Sequence, residues 1–252
     1  MSAGHYQQEV EQLYSCTLAQ GIRSLAICSA LPKQGATTIL RLLAQRNVLA
    51  GASTLVVDFN LSRPGVFNVI DFPNHCAEVS LDGSQEVGLP LSEMPTPQLV
   101  SVGAGDSQFE SLFNGICIPQ DKSTLLKLRE TDVLRRLIQR WLQEYDTVLV
   151  DTTALLATDG YTIPAQQVAS VCDGCLLVVL SGYCTQAQLT DAVECLNQQQ
   201  VNLIGTVMND QYHPRLIDEM KRELNRLNWL CPRLVRWTIK KLNRVSLLSM
   251  DI

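Results

Sequence analysis

Residues 25–64, LAICSALPKQGATTILRLLAQRNVLAGASTLVVDFNLSRP, decide the fold. The apolar run 24–29 is typical of a strand that is buried on both faces. After a loop, residues 37–49 have helical spacing, which predicts the inward face Ile39, Leu42, Leu43, Arg46 and Leu49. Gly51 ends this helix, and a second apolar strand, 54–58, follows. Because ligands bind at the carboxyl ends of strands in such βαβ units, we expect a site where these strands end.

The rest of the chain continues the alternation of strands and helices. Further strands are predicted at 99–102, 147–151, 174–180 and 201–209, and further helices at 6–20, 132–144, 161–170 and 185–199. The 132–144 helix is amphipathic, with Val133, Leu137, Ile138 and Trp141 inward. Residues 65–97 are predicted to be irregular, and 106–130 have no clear pattern. The alternation predicts an α/β fold, a mostly parallel sheet with helices on both faces.

Composition excludes several classes of protein. The chain has 252 residues, 46% of them hydrophobic, which is enough for a sizeable core. A net charge of −5 is unfavourable for a general nucleic-acid binder. Apolar runs are too short to span a bilayer, and residues 1–14 are too polar for a secretory signal. The nine cysteines are an odd number, which favours reduced thiols. We therefore expect a cytoplasmic location.

Residues 214–252 differ from the rest because they carry nine of the chain's twenty Lys and Arg residues. Their spacing predicts a basic amphipathic helical tail that Pro232 divides into two segments. We assign 1–213 to the main domain and expect the 214–252 extension to pack on it. The alternative is that the tail docks on a membrane surface or a partner, which would place the protein at the inner face of the cytoplasmic membrane.

The loop after the first strand has the layout of a phosphate-binding loop. Backbone N–H groups at a helix N-terminus bind phosphate, a lysine adds positive charge, and the next Ser or Thr holds Mg²⁺. Here Gly35, Thr37 and Thr38 have the expected types, but Ala36 occupies the position of the lysine. Lys33 lies three residues upstream and is the candidate substitute; otherwise it is simply solvated.

The wider pattern resembles the MinD/ParA-type deviant P-loop ATPases. The resemblance rests on SALPKQGATT, LVVDFNLSRP, YDTVLVDTTALL, DGCLLVV and NLIGTVMND, and it extends from about residue 9 to 215. Within that group the chain is most similar to the cytoplasmic bacterial tyrosine kinases of capsule and exopolysaccharide export (the CpsD/CapB/Wzc type). The resemblance implies a parallel sheet, a nucleotide at its carboxyl edge, a Wzz-like membrane co-polymerase as partner, homo-oligomerisation and autophosphorylation of a C-terminal tyrosine cluster.

Compared position by position, the implied site is incomplete. The usual PGxGKST reads PKQGATT, so the implied nucleotide ligands are Lys33, Gln34, Gly35, Ala36, Thr37 and Thr38, with Asn209 at the adenine position. The usual DxDxR keeps Asp58 but has Asn60 and Ser62, followed by Arg63 and Pro64. The usual DxxP keeps Asp151 but has Ala154, and no tyrosine follows Tyr212. Asp58, Asp151 and Thr37 are the implied catalytic and Mg²⁺ positions; otherwise the two aspartates only cap loops.

These departures lead to three hypotheses on function. The first is a catalytically degenerate protein that binds ATP or ADP with Mg²⁺ weakly or not at all, and that acts as a regulatory or scaffolding partner in exopolysaccharide synthesis and export. The second is an active, divergent ATPase or tyrosine kinase. The third is a MinD-like positioning protein that associates with a membrane through its basic tail.

Overall fold

The computed structural model describes residues 3–60, 97–102, 111–118, 121–157 and 162–210. Most of the predicted irregular region 65–97, together with Ser62, Arg63, Pro64 and the predicted tail 214–252, lies outside the described residues. The described residues up to Asn209 belong to one compact unit. None of the helices in this part of the chain is long and apolar enough to cross a bilayer.

The described residues alternate between strands and helices, as predicted. The strands are β1 Ser24–Ser29, β2 Thr54–Asp58, β3 Gln98–Val102, β4 Ser111–Cys117, β5 Thr147–Asp151, β6 Gly174–Leu180 and β7 Leu203–Asn209. The α-helices are α1 Ala3–Cys16, α2 Ala36–Leu49, α3 Lys122–Leu128, α4 Thr131–Glu144, α5 Ala165–Ser170 and α6 Gln186–Gln198, and a 3₁₀ turn covers Leu18–Gln20.

The strands form one mostly parallel sheet in the order β3-β4-β2-β5-β1-β6-β7. Only β3 runs antiparallel to its described neighbour, β4. Every residue of β1, β2, β5 and β6 is buried, because helices cover both faces of these central strands. The predicted α/β fold with helices on both faces is confirmed.

Alternating side chains of the strands divide the core into two layers. In β2, Leu55 and Val57 join the cluster under α3 and α4, whereas Val56 joins the cluster under α1 and α2. The predicted inward face of α4 is confirmed, since Leu137, Ile138 and Trp141 are buried together in the first of these clusters. Helices therefore pack on both faces of the sheet, and the loops lie at the two ends of its strands.

The predicted inward face of α2 was correct for Ile39 and Leu43, which lie against or in the apolar cluster, and wrong for Leu49 and Arg46. The buried stripe is Ala36, Leu40, Leu43, Ala44 and Asn47, and Leu49 is 69% exposed. The polar Asn47 can be buried because its Nδ2 donates a hydrogen bond to Thr54 Oγ1 at 2.9 Å. Arg46 instead lies beside α1, where it pairs with Glu11 and stacks 4.2 Å from the centroid of the Tyr14 ring.

Two elements, β4 and α3, occur where the sequence had no clear pattern. The centre of β4 contains Asn114 and Gly115, which interrupt the apolar run and are uncommon in strands. Its pairing with β2 on one side and β3 on the other nevertheless holds it in the sheet. The short α3 begins at a side-chain cap, in which Asp121 accepts a hydrogen bond from Thr124 N at 2.8 Å.

Candidate nucleotide-phosphate and metal site

The loop between β1 and α2 ends in a glycine for a steric reason. Gly35 precedes α2 with a φ of +95°, a conformation that other residues rarely adopt. A Cβ at this position would lie 2.3 Å from Asn209 Nδ2, which is too close for a real contact. No side chain caps the N-terminus of α2. The first backbone N–H groups of this helix therefore suit an anion, as in a phosphate-binding loop.

Two side-chain amides, one buried and one half-buried, hold the loop in place. Gln34 is only 1% exposed, and its Oε1 accepts a hydrogen bond from Leu31 N at 3.1 Å. Its Nε2 is buried without a hydrogen-bond partner. The side-chain nitrogen of Asn209, at the end of β7, donates to the backbone oxygen of Gln34 at 3.0 Å. The loop is thus tied to the carboxyl end of the last described strand.

The contact between Asn209 and the loop is one that the sequence reasoning missed. Asn209 was implied as an adenine contact, and the structure gives it this second role of positioning the loop. The two partners are 175 residues apart, so no local pattern could have indicated their contact.

Two carboxylates and a hydroxyl meet beside the loop. Asp58 and Asp151 end the neighbouring strands β2 and β5 and pair directly in the sheet register. Thr37, in the first turn of α2, donates from its Oγ1 to Asp151 Oδ2 at 2.7 Å. Asp58 Oδ1 accepts a hydrogen bond from Asn60 N at 2.8 Å. The sheet therefore brings together the three residues that the resemblance implied for Mg²⁺.

Asp151 is in an unfavourable environment for a negative charge. The residue is fully buried, and its Oδ1 has no hydrogen-bond partner. Burial and the nearby charge of Asp58 raise the pKa of Asp151 to about 8, although hydrogen bonds from Thr37 and the backbone of Thr152 oppose this shift. The geometry thus places an under-compensated carboxylate at the edge of the sheet.

These residues fit a small divalent cation. Carboxylate and hydroxyl oxygens are the ligands that Mg²⁺ prefers, and the unpartnered Oδ1 of Asp151 is one such donor. A cation would also offset the repulsion between the two carboxylates. Among the described residues no group of three or more His, Cys, Asp or Glu side chains could hold a metal ion, so the Thr37 hydroxyl would be the third ligand from the chain.

The remaining loop residues differ in their exposure to solvent. Ala36 is 8% exposed and packs in the apolar cluster with Leu40 and Leu43. Lys33 is exposed and has a φ of +67°, and Thr38 is also exposed. The buried position that would carry a phosphate-binding lysine therefore has no charge, and the only lysine of the loop lies at its outer surface.

The parallel sheet and the loop before α2 together define a P-loop NTPase-like fold. The chain has a TM-score of 0.56 to the kinase domain of the Escherichia coli tyrosine kinase ETK, with 22% identity over 78% of this chain and 71% of that one. It has a TM-score of 0.53 and 13% identity to a Mycobacterium smegmatis cobyrinic acid a,c-diamide synthase solved with ADP and magnesium, covering 82% of each chain. At these identities the similarity concerns the fold.

Sequence comparison identifies its homologues as bacterial tyrosine-protein kinases. YwqD of Bacillus subtilis is 28% identical over 188 residues, which cover 75% of this chain and 72% of that protein. CpsD of Streptococcus agalactiae is 24% identical, covering 73% and 74%. Etk of Escherichia coli is 25% identical over 186 residues, but these cover only 23% of Etk. No family model matches the chain.

Proposed function

We propose that this protein is a catalytically degenerate relative of the bacterial tyrosine kinases that acts as a regulatory or scaffolding partner in exopolysaccharide synthesis and export. The observation that carries the proposal is Ala36, a buried apolar residue at the start of α2 where the resemblance implies a lysine. The other departures, Asn60 and Ala154, also remove groups that the kinase pattern contains.

The effect of the missing lysine on nucleotide affinity can be calculated. A charge-assisted hydrogen bond to phosphate contributes about 1.5–3 kcal/mol, so its loss weakens binding by about ten- to a hundredfold. Phosphoryl transfer suffers further, because the same charge stabilises the transition state. The backbone of the loop and the oxygens of Thr37, Asp58 and Asp151 support weak binding of ATP or ADP with Mg²⁺.

A protein of this kind acts through its partners. By resemblance, the proposed partner is a Wzz-like membrane co-polymerase or another export component, and the chain forms homo-oligomers. We place it in the cytoplasm, at the inner face of the membrane when bound to this partner. In this proposal residues 1–213 provide the folded domain, and the basic extension 214–252 packs on it or contacts the membrane surface.

The proposal is tested by measuring ATP turnover and tyrosine phosphorylation with the full chain. Wild type and Asp151→Asn should give the same background rate, since wild type would lack efficient chemistry already. Asp173→Asn is the matched control. Asp173 accepts hydrogen bonds from Arg23 N and Ser24 N at the amino ends of the strands, away from the candidate site. Turnover that Asp151→Asn abolishes and Asp173→Asn preserves would overturn the proposal.

An active enzyme is the second candidate, and the hydrogen bond between Thr37 and Asp151 favours it. This pair retains the arrangement needed to hold a catalytic cation, and Lys33 lies in the same loop. In this version Lys33 supplies the missing charge. Lys33→Ala would then remove all turnover, whereas Lys127→Ala, a change on α3, would leave it unchanged.

A further inference from the structure

Helices α4, α5 and α6 form one layer on the same face of the sheet. In the sheet register Ala26 pairs with both Val150 and Cys175, so these three side chains point to the same face. Val150 packs in the apolar cluster under α4, whereas Ala26 and Cys175 pack in the cluster under α6. In α5, Val168 belongs to the first cluster and Ala169 to the second, so α5 lies between the other two helices. The solvent-exposed sides of α4, α5 and α6 are together called the α4–α6 face.

The exposed side of α4 is basic at its centre. Arg135, Arg136 and Arg140 are exposed, and Arg136 and Arg140 lie one turn apart on the same side of the helix. In the part of the chain that the structure describes, only Arg135 has a carboxylate partner, Asp132, at 3.5 Å. The acidic residues of α4, Asp132 and Glu144, lie near its two ends. The middle of this helix therefore presents positive charge to solvent.

The exposed side of α6 has the opposite charge. Asp191 and Glu194 are exposed and lie three residues apart, so they occupy one side of the helix. Residues 186–198 contain no Lys or Arg, and no ion pair joins these two carboxylates to a described residue. The helix between them and α4, α5, has no charged residue. Across the α4–α6 face the charge therefore changes from positive to neutral to negative.

This distribution of charge is self-complementary under a two-fold rotation. The three helices run in the same direction, because each leads back to the amino end of a parallel strand. A two-fold axis parallel to α5, in front of the layer, places α4 of one copy opposite α6 of the other, and the same contact forms twice. The charges also match along the helices. Arg136 and Arg140 lie eight and four residues before the end of α4, and Asp191 and Glu194 lie seven and four residues before the end of α6.

We propose that the α4–α6 face binds the same face of a second copy of this chain. In this dimer the arginines of α4 lie opposite Asp191 and Glu194 of the second copy, at two equivalent places. The carboxyl edge of the sheet, with the loop before α2, stays outside the contact. The inference rests on the homo-oligomer of the proposed function and assigns a surface to it. Exposed ion pairs are individually weak and are screened by salt, so the dimer should be sensitive to ionic strength.

The experiment is sedimentation velocity of the full chain over a range of concentrations. The dimer should dissociate more readily in high salt, with a dissociation constant at least about tenfold higher in about 0.5 M than in about 0.05 M NaCl. One double variant, Arg136→Glu with Arg140→Glu, makes both helices acidic, and another, Asp191→Lys with Glu194→Lys, makes both basic. Each should weaken the dimer at least about tenfold, because like charges then face each other. Glu9→Lys is the control, since Glu9 is exposed on α1, on the opposite face of the sheet, and its change should have no effect.

A mixture of the two double variants is the decisive measurement. The acidic variant and the basic variant should form a dimer with each other in low salt, because both contacts again join opposite charges. This recovery also shows that neither variant has failed to fold.

Several results would overturn the inference. These are a wild-type monomer in low salt, an oligomer that neither double variant weakens, a mixture that stays monomeric, and a Glu9→Lys effect equal to that of the double variants. An oligomer that ignores both double variants would exclude this face and leave homo-oligomerisation in place. The turnover assay of the proposed function does not depend on the dimer, so the two failures are distinguishable.

Discussion

Replacing Asp151 by asparagine should make the fold more stable at neutral and alkaline pH. In the folded chain burial and the charge of Asp58 raise the pKa of Asp151 to about 8. The folded state therefore retains a proton that the unfolded chain releases near pH 4. Stability from this proton is fully present below about pH 4 and is lost as the pH rises through about 8.

The size of the effect follows from this shift. The contribution of Asp151 to the free energy of unfolding should fall by about 1.4 kcal/mol per pH unit between pH 5 and 7, and at pH 7 its loss should reach about 4 kcal/mol. Asparagine does not titrate, and its side-chain oxygen can still accept the hydrogen bond from Thr37. The variant should therefore lack this slope and should exceed the wild type in stability by several kcal/mol at pH 8, on the order of the wild-type loss.

The assay is urea unfolding of both proteins from pH 5 to 8 in EDTA. Asp146→Asn is the control, because Asp146 is an exposed carboxylate whose pKa hydrogen bonds from Ser53 lower. The stability that Asp146 contributes is present above its unfolded pKa and is lost as the pH falls through its folded pKa. The control should therefore lose a constant amount of stability across this window. Parallel pH profiles for wild type and Asp151→Asn would refute the reasoning, and excess Mg²⁺ should flatten the wild-type profile.

Three other substitutions test the fold around the site by the same unfolding assay. Gly35→Ala should lower the free energy of unfolding more than Gly51→Ala does. Both glycines have a positive φ, but only at Gly35 would a Cβ lie 2.3 Å from Asn209 Nδ2. Gly51→Ala should cost about 1 kcal/mol of stability, and an equal cost for the two variants would contradict the clash. Trp141→Ala should cost about 3–5 kcal/mol because Trp141 is buried between α4 and the sheet, and a cost below about 1 kcal/mol would contradict this packing. Thr185→Ala should cost about 1 kcal/mol by removing the capping box of α6, and an unchanged stability would contradict it.

Local sequence patterns were sufficient to predict the strands in which every residue is buried. The runs that became β1, β2, β5 and β6 are continuous in apolar residues, and the structure places their ends where the sequence predicted them. The amphipathic period of α4 likewise gave its inward face correctly. Patterns failed for β4, where Asn114 and Gly115 are held by neighbouring strands on both sides, and for α2, where Asn47 is buried with a polar partner. In both cases a tertiary partner outweighs the local preference.

The sequence by itself determined the chemistry that is available at the opening stretch. It specified a glycine before the helix, two threonine hydroxyls in the first turn of the helix, an aspartate at the strand end, and an alanine in place of a lysine. Tertiary structure alone decided how these groups interact. The pairing of β2 with β5 brings Asp58 beside Asp151, and α2 directs Thr37 to Asp151 across 114 residues of chain. Periodicity describes a residue's own element, whereas burial and charge at this site depend on elements that are distant in the sequence.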